Sequence, residues 1–226
     1  RREDRLQDLA KTLKKQHGTD VRVIACDLGE IGAANQLVDA IHAQGLQIDT
    51  LINNAGFGEN GLFADSDAAR NSQMLHLNIV ALTELTRLAL PDMQGKQSGR
   101  ILNVASIVAY QPCPRFAIYA ASKAYVLSFT DALHVEVASK GIKVTALCPG
   151  STATEFHDIA QNEHARLNQV PKDSAADVAM AAYKALNRGQ RSVVTGWINK
   201  PVPLMARLTP KSALMWVADR MARQDV

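Results

Sequence analysis

The chain has 226 residues, 47% of them hydrophobic and 21% charged, with a formal net charge of +3. That length supports one domain with a sizeable core, and the composition is that of a globular protein rather than a disordered or fibrous one. The basic residues are too scattered to argue for nucleic acid, and no apolar run reaches the roughly 18 residues of a membrane span.

Leu6, Leu9, Ala10 and Leu13 recur at helical spacing up to His17, and Gly18 is a stop signal. Val21–Cys26 is a short β-branched run ended by Asp27 and reads as a strand. Ile31–Ala43 is helical, and Asp49–Ile52 is a second strand closed by Asn53-Asn54-Ala55-Gly56. A long helix over Asp67–Leu90 is expected to break at Pro91. Arg100–Val104 is a third strand, and a loop with Pro112 and Pro114 leads into a helix over Ile118–Ser139. Ile142–Leu147 is a fourth strand, followed by Pro149-Gly150. Beyond a polar segment come a helix over Ser174–Asn187, a short strand Ser192–Thr195 and a helical tail from Pro203 to Arg223 interrupted at Pro210. Strands alternating with helices of this length predict βαβ units, hence an α/β domain over 1–226 whose parallel sheet is covered on both faces.

Cys26, Cys113 and Cys148 show neither metal-like nor Cys-x-x-Cys spacing. A reducing, cytoplasmic setting is the simplest expectation for them. His157 and His164 lack a third ligand in the sequence, so no metal is expected.

The chemistry concentrates in Tyr119 and Lys123, four residues apart, with Ser106 upstream. That spacing puts phenol and ammonium one turn apart on one helix face. A lysine charge beside a phenol favours the phenolate and brings its pKa toward neutrality. Such a phenol suits proton exchange with an alcohol or a carbonyl.

Taken in order, Asp27, Asn53-Asn54-Ala55-Gly56, Asn78, Ser106, Tyr119, Lys123 and Pro149-Gly150-Ser151-Thr152-Ala153-Thr154 resemble the classical short-chain dehydrogenase/reductase family over nearly the whole chain. The resemblance implies a Rossmann-like doubly wound sheet and a catalytic set of Asn78, Ser106, Tyr119 and Lys123. In that set Tyr119 exchanges the proton at the substrate oxygen and Ser106 holds that oxygen. Lys123 lowers the tyrosine pKa and binds the nicotinamide ribose, and Asn78 supports a proton-relay water. It further implies cofactor contacts at Asp27 and Leu28 (adenine), at Asn53, Ala55 and Gly56, and at Pro149, Gly150, Thr152 and Thr154. The activity implied is interconversion of an alcohol and a ketone or aldehyde by hydride transfer with NAD(P). A non-catalytic dinucleotide-sensing or scaffold protein on the same fold is the alternative.

The family's Thr-Gly-x-x-x-Gly-x-Gly phosphate loop does not occur in the sequence, and the chain opens with Arg1-Arg2. On the resemblance, the chain would be truncated before its first strand-helix-strand unit. It would then be expected neither to fold stably nor to bind a dinucleotide alone. Arg1 and Arg2 would follow the strand whose end reads the ribose 2′ position, which favours NADP over NAD. Phe57, Ile107, Val108, Tyr110, Phe116 and Phe156 predict an apolar substrate pocket, with polarity from Arg115, Glu155 and His157. A small hydrophobic carbonyl or alcohol is therefore the expected substrate. The apolar tail from Leu204 to Met221 reads as a helix packed on the domain or capping that pocket, with a subunit contact as the alternative, and no membrane-surface role is expected of it. The resemblance also implies a homodimer or homotetramer through the helices over 67–90 and 118–139.

Overall fold

Four short runs pair side by side as parallel strands: β1 Thr50–Asn53, β2 Gly99–Val104, β3 Ile142–Cys148 and β4 Ser192–Val194, in the spatial order β1-β2-β3-β4. The computed structural model describes residues 2–153 and 172–223. Its helices are α1 Glu3–His17, α2 Ala33–His42, α3 Ala68–Leu75, α4 Leu82–Lys96, α5 Ala117–Glu136, α6 Ala175–Arg188, α7 Val202–Leu208 and α8 Lys211–Ala222. The register pairs Leu51 with Ile101 and Ile101 with Val144.

Successive strand residues point to opposite sheet faces, and both faces are covered. On one side Ile101 and Val144 pack against Ala89, Met93, Leu133 and Val137 of α4 and the α5 end. On the other, Leu102 and Leu147 pack against Val178, Ala182 and Leu186 of α6. Helices on both faces of a parallel sheet make the expected doubly wound, Rossmann-like α/β arrangement. Beneath the sheet a buried polar chain ties α4 and α5 to the strands. Asn53 Nδ2 donates to Thr86 Oγ1 (3.0 Å) and to Asn103 Oδ1 (2.9 Å), and Asn103 Nδ2 donates to Thr130 Oγ1 (2.9 Å). Each buried amide is thereby satisfied, which a buried polar group requires.

Two expectations are corrected. Val21–Cys26 forms no ladder. Among the described residues β1 pairs only with β2, so no strand lies beside this run to take its backbone groups, and propensity alone does not make a strand. Pro91 does not end its helix: α4 continues to Lys96, and the turn comes at Gln97, whose φ is +48°. Proline removes one backbone donor and crowds one turn. Ala89 and Met93, on either side of Pro91 and fully buried against the sheet, hold the helix through it. Between α3 and α4 the helix passes through a π-helical segment, His76–Ala81, which carries Asn78. Among the described residues no helix is long and apolar enough to cross a membrane.

Candidate active site

The C-terminal ends of β2 and β3 build the site. Ala105 N–H bonds to Leu147 O (2.8 Å) and Ile107 N–H to Pro149 O (2.9 Å), so the two segments leave the sheet together. Ser106 then caps a short 3₁₀ turn, Ile107–Tyr110, its Oγ accepting from Val108 N–H at 3.3 Å. α5 starts at Ala117, which places Tyr119 in its first turn and Lys123 one turn further, both buried. Tyr119 and Ser106 line the same cleft, and the Ser106 hydroxyl acts on the phenol to lower its pKa. Lys123 Nζ donates to Val104 O at 2.7 Å and lies 5.8 Å from the Tyr119 ring centre.

Asn78 comes in from the π-helical segment, buried, with its side chain fully engaged. Oδ1 accepts from Phe57 N–H (3.2 Å), while Nδ2 donates to Phe57 O (2.9 Å) and Ser122 Oγ (3.1 Å). Its amide thus grips the peptide after Gly56. A Cβ on Gly56 would stand 2.9 Å from Asn78 Oδ1 and 3.5 Å from Lys123 Nζ. Only glycine leaves that turn open beside the lysine.

The electrostatics differ from the sequence expectation. Burial pushes the Tyr119 phenol up to about 12, and the Ser106 hydroxyl only partly offsets it. Burial also drives Lys123 down to about 8. The lysine therefore does not bring the tyrosine toward neutrality. Its ammonium is turned to the Val104 carbonyl, and removing a phenolate from water costs more than this arrangement returns. At neutral pH the phenol is protonated.

A cleft of about 1300 Å³ opens over these groups, lined by Gly56, Ser106, Tyr119, Lys123, Pro149, Gly150 and Thr152 among others. Arg2 reaches the same cleft. Gly150 is tied to its place, because a Cβ there would overlap the Asn199 amide. Several expected cofactor residues lie elsewhere. Asn53 spends its amide beneath the sheet, as described above. Asp27 Oδ1 accepts Gly29 N–H at 3.0 Å, and Leu28 joins Val38 and Leu85 in an apolar cluster. Among the described residues no ladder forms over 21–26, so this pair does not follow a strand at the sheet's edge. Ala55 is exposed and is absent from the lining, where its neighbour Asn54 stands instead. Arg1, Thr154, Glu155, Phe156, His157 and His164 fall outside the described residues.

The apolar end of the cleft contains Phe57, Ile107, Val108 and Phe116, as the sequence predicts. Tyr110 points away from it, its hydroxyl 3.6 Å from Cys148 Sγ, and burial raises that phenol's pKa. Arg115 also turns aside, to an ion pair with Asp219 at 3.1 Å. Sequence reasoning did not single out Ala218 and Ala222 of α8, which complete the wall. Among the described residues no group of three or more His, Cys, Asp or Glu is placed to hold a metal.

A family model for short chain dehydrogenases matches residues 1–165. The chain belongs to that family. It is 34% identical over 167 residues to a very-long-chain 3-oxoacyl-CoA reductase of Anas platyrhynchos, covering 71% of this chain and 53% of that one. It is 30% identical over 184 residues to a 17-beta-hydroxysteroid dehydrogenase type 3 of Mus musculus, covering 79% and 59%. The chain thus spans a little over half the length of these relatives. A short-chain dehydrogenase from Sphingobium yanoikuyae, solved in complex with NADPH, superposes with a TM-score of 0.79 at 29% identity, covering 86% of this chain and 75% of that one. A 7beta-hydroxysteroid dehydrogenase structure reaches a TM-score of 0.82 at 23% identity over 96% of this chain and 84% of that one, a likeness of fold. The family binds NAD(P), and the Sphingobium yanoikuyae relative holds NADPH.

Proposed function

We propose that the protein is an NADP-preferring oxidoreductase that reduces a hydrophobic ketone or aldehyde to its alcohol, and runs the reverse reaction when the alcohol is in excess. One observation carries this reading: the buried Tyr119 side chain, one turn from Lys123, shares with Ser106 the wall of a cleft with an apolar end. The residues fit a dinucleotide. The Gly56 turn offers backbone where a Cβ would collide, Lys123 presents a buried ammonium beside it, and Pro149, Gly150 and Thr152 line the opposite rim. Arg2 supplies the cation that a 2′-phosphate would meet. When bound, the nicotinamide supplies or accepts the hydride.

The chain's own groups handle the proton and the geometry. Ser106 Oγ is placed to hold the carbonyl oxygen, and the neutral Tyr119 hydroxyl gives that oxygen its proton. In the alcohol direction the phenolate takes the proton back. Lys123, within 5.8 Å of the ring, stabilises the phenolate that appears on proton donation. Asn78 acts as a positioning residue, because its amide holds the Gly56–Phe57 turn at the lysine. The apolar wall of Phe57, Val108 and Phe116 favours a hydrophobic body on the substrate. The relatives named for 3-oxoacyl-CoA and hydroxysteroid chemistry act on molecules of that kind. The protein is further read as a homo-oligomer.

Substitution Tyr119→Phe tests the assignment. Ketone reduction should fall by about 10²-fold or more, the scale of one general-acid group. Calorimetry on the same variant should show NADPH binding unchanged and tighter than NADH. Unchanged turnover would remove the acid role, and equal affinity for the two nucleotides would remove the NADP preference.

A further inference from the structure

Three chain segments far apart in sequence meet at the substrate end of the cleft, and Arg115 is their junction. It is one of two non-glycine residues with positive φ among the described residues, at +67°. A long side chain held in the left-handed region is unfavourable and persists where surrounding contacts fix it. The contacts are visible. Arg115 O accepts Gly61 N–H at 2.9 Å, which ties the 57–62 loop to the loop before α5. Its guanidinium Nε donates to Asp219 Oδ1 of α8 at 3.1 Å, with both side chains about a quarter exposed. Asp219 Oδ2 accepts from Arg223 Nη2 (2.6 Å) and Nε (2.9 Å), so one carboxylate holds two arginines. The 57–62 loop in turn reaches α8 directly, as Asn60 Nδ2 donates to Ala222 O at 3.0 Å.

The helix held in this way forms part of the reactive cleft. Val217, Ala218, Met221 and Ala222 line it, and Ala222, fully buried, packs with Met74, Phe116 and Tyr119. Small residues at 218 and 222 leave room beside the tyrosine, whereas Met221 offers a flexible apolar side chain. Outside these ties α8 is weakly held, since Ala218 and Ala222 are its buried residues and Met215, Trp216 and Val217 are exposed. Its place over the cleft therefore depends on a few polar links more than on a buried face.

Resting on the oxidoreductase reading above, we propose that Arg115, Asn60 and Asp219 form a clasp that holds α8 as the outer wall of the substrate cavity, so that the clasp governs selection for the long apolar body of the substrate rather than the chemistry at its carbonyl. Arg115 and Asp219 are positioning residues that touch neither the nucleotide turn nor Tyr119's hydroxyl. Breaking the clasp loosens the far wall. It weakens binding of substrates long enough to touch α8 and leaves short ones unaffected.

The test uses two measurements on the same proteins: the unmodified chain, Asp219→Arg, Arg115→Asp, and the doubly reversed pair. Aspartate is among the residues that tolerate a left-handed backbone, so Arg115→Asp respects the local geometry. Hydrogen–deuterium exchange over residues 211–222 should quicken by about fivefold in each single variant and return in the double one, the size expected of a partly exposed ion-pair network. Steady-state reduction of straight-chain methyl ketones from butanone to dodecanone with NADPH should show KM rising about fivefold for dodecanone in the single variants. In those variants kcat and the butanone KM should stay unchanged, with rescue in the reversed pair. Unchanged exchange in both single variants, or equal losses for short and long ketones, would overturn the clasp. Failure of the unmodified protein to reduce any ketone while it binds NADPH would overturn the oxidoreductase reading and with it the selectivity, and the exchange rates would still decide whether the clasp holds the helix.

Discussion

Lys123 and Tyr119 show how burial reverses an expectation drawn from spacing. Four residues apart on α5, they meet on one face as the sequence implies, yet the desolvated phenol sits at about 12 and the desolvated ammonium at about 8. The pH dependence of reduction follows from the lower of the two. Below about 8 the lysine is charged and the phenol neutral, the pair suited to giving a proton to a carbonyl. As pH rises through that value the ammonium is lost while the phenol stays protonated. Ketone reduction measured as kcat/KM should therefore be flat up to about pH 7 and fall by about tenfold per unit above 8. A profile flat to pH 10 would separate Lys123 from the chemistry. The same shift has a sign for stability. Between about 8 and the ordinary 10.5 the unfolded chain holds a proton that the folded one has released, so this group's contribution to stability rises with pH across that window.

Elements were legible in the sequence where both of their faces are buried. β2 and β3 stand in the sheet within a residue of the expected runs, because continuous apolar strands in a parallel sheet leave little choice of boundary. Val21–Cys26 looked equally strand-like but needs a neighbour that its own residues do not specify. The π-helical turn around Asn78 and the passage of α4 through Pro91 depend on packing against the sheet, which no local pattern carries. The candidate catalytic residues were readable in the sequence, whereas Arg115 and Asp219, separated by 104 positions, could be joined only by the fold. Asp92 is a comparable long-range tie between elements. Its carboxylate accepts Ile48 N–H (2.8 Å) and pairs with His42 Nε2 (2.9 Å), joining α4, the entry to β1 and the end of α2. Partial burial raises the carboxyl's pKa, but the Ile48 and His42 contacts outweigh this and leave it below the usual aspartate value. Asp92→Ala should lower unfolding stability in urea by about 1.5–3 kcal/mol, the range for hydrogen bonds to a charged group. Because the folded pKa is depressed, the wild-type advantage is present above the ordinary value of 3.8 and is lost as pH falls through the folded one. An unchanged midpoint at neutral pH would show that the three elements are held without this link.

At the scale of the whole molecule, α5 has two faces with different work. The inner one carries Tyr119, Ser122, Lys123, Val126 and Thr130 into the site and onto the sheet. The outer one is a stripe of Ala121, Tyr125, Ser128, Ala132 and Val135, exposed and at helical spacing. Val135 is 72% exposed and Tyr125 39%, while Thr83 Oγ1 lies 3.1 Å from the Tyr125 hydroxyl, so α4 and α5 continue into one surface. Small and apolar residues along such a stripe allow the same helix of a second copy to approach closely, as a self-complementary contact about a two-fold axis requires. A charge at its centre would be buried opposite its own symmetry mate. The protein is therefore expected to be a homodimer or a larger even assembly in light scattering, and Ala132→Arg should shift it to monomer. The candidate site residues Tyr119 and Lys123 lie on the opposite, buried face, so NADPH binding by the monomeric variant should stay within about threefold of the parent, less than 1 kcal/mol on the binding scale. An unmodified protein that is already monomeric at micromolar concentration would assign the stripe to some other partner. A dimer that survives Ala132→Arg would place the contact elsewhere on the surface.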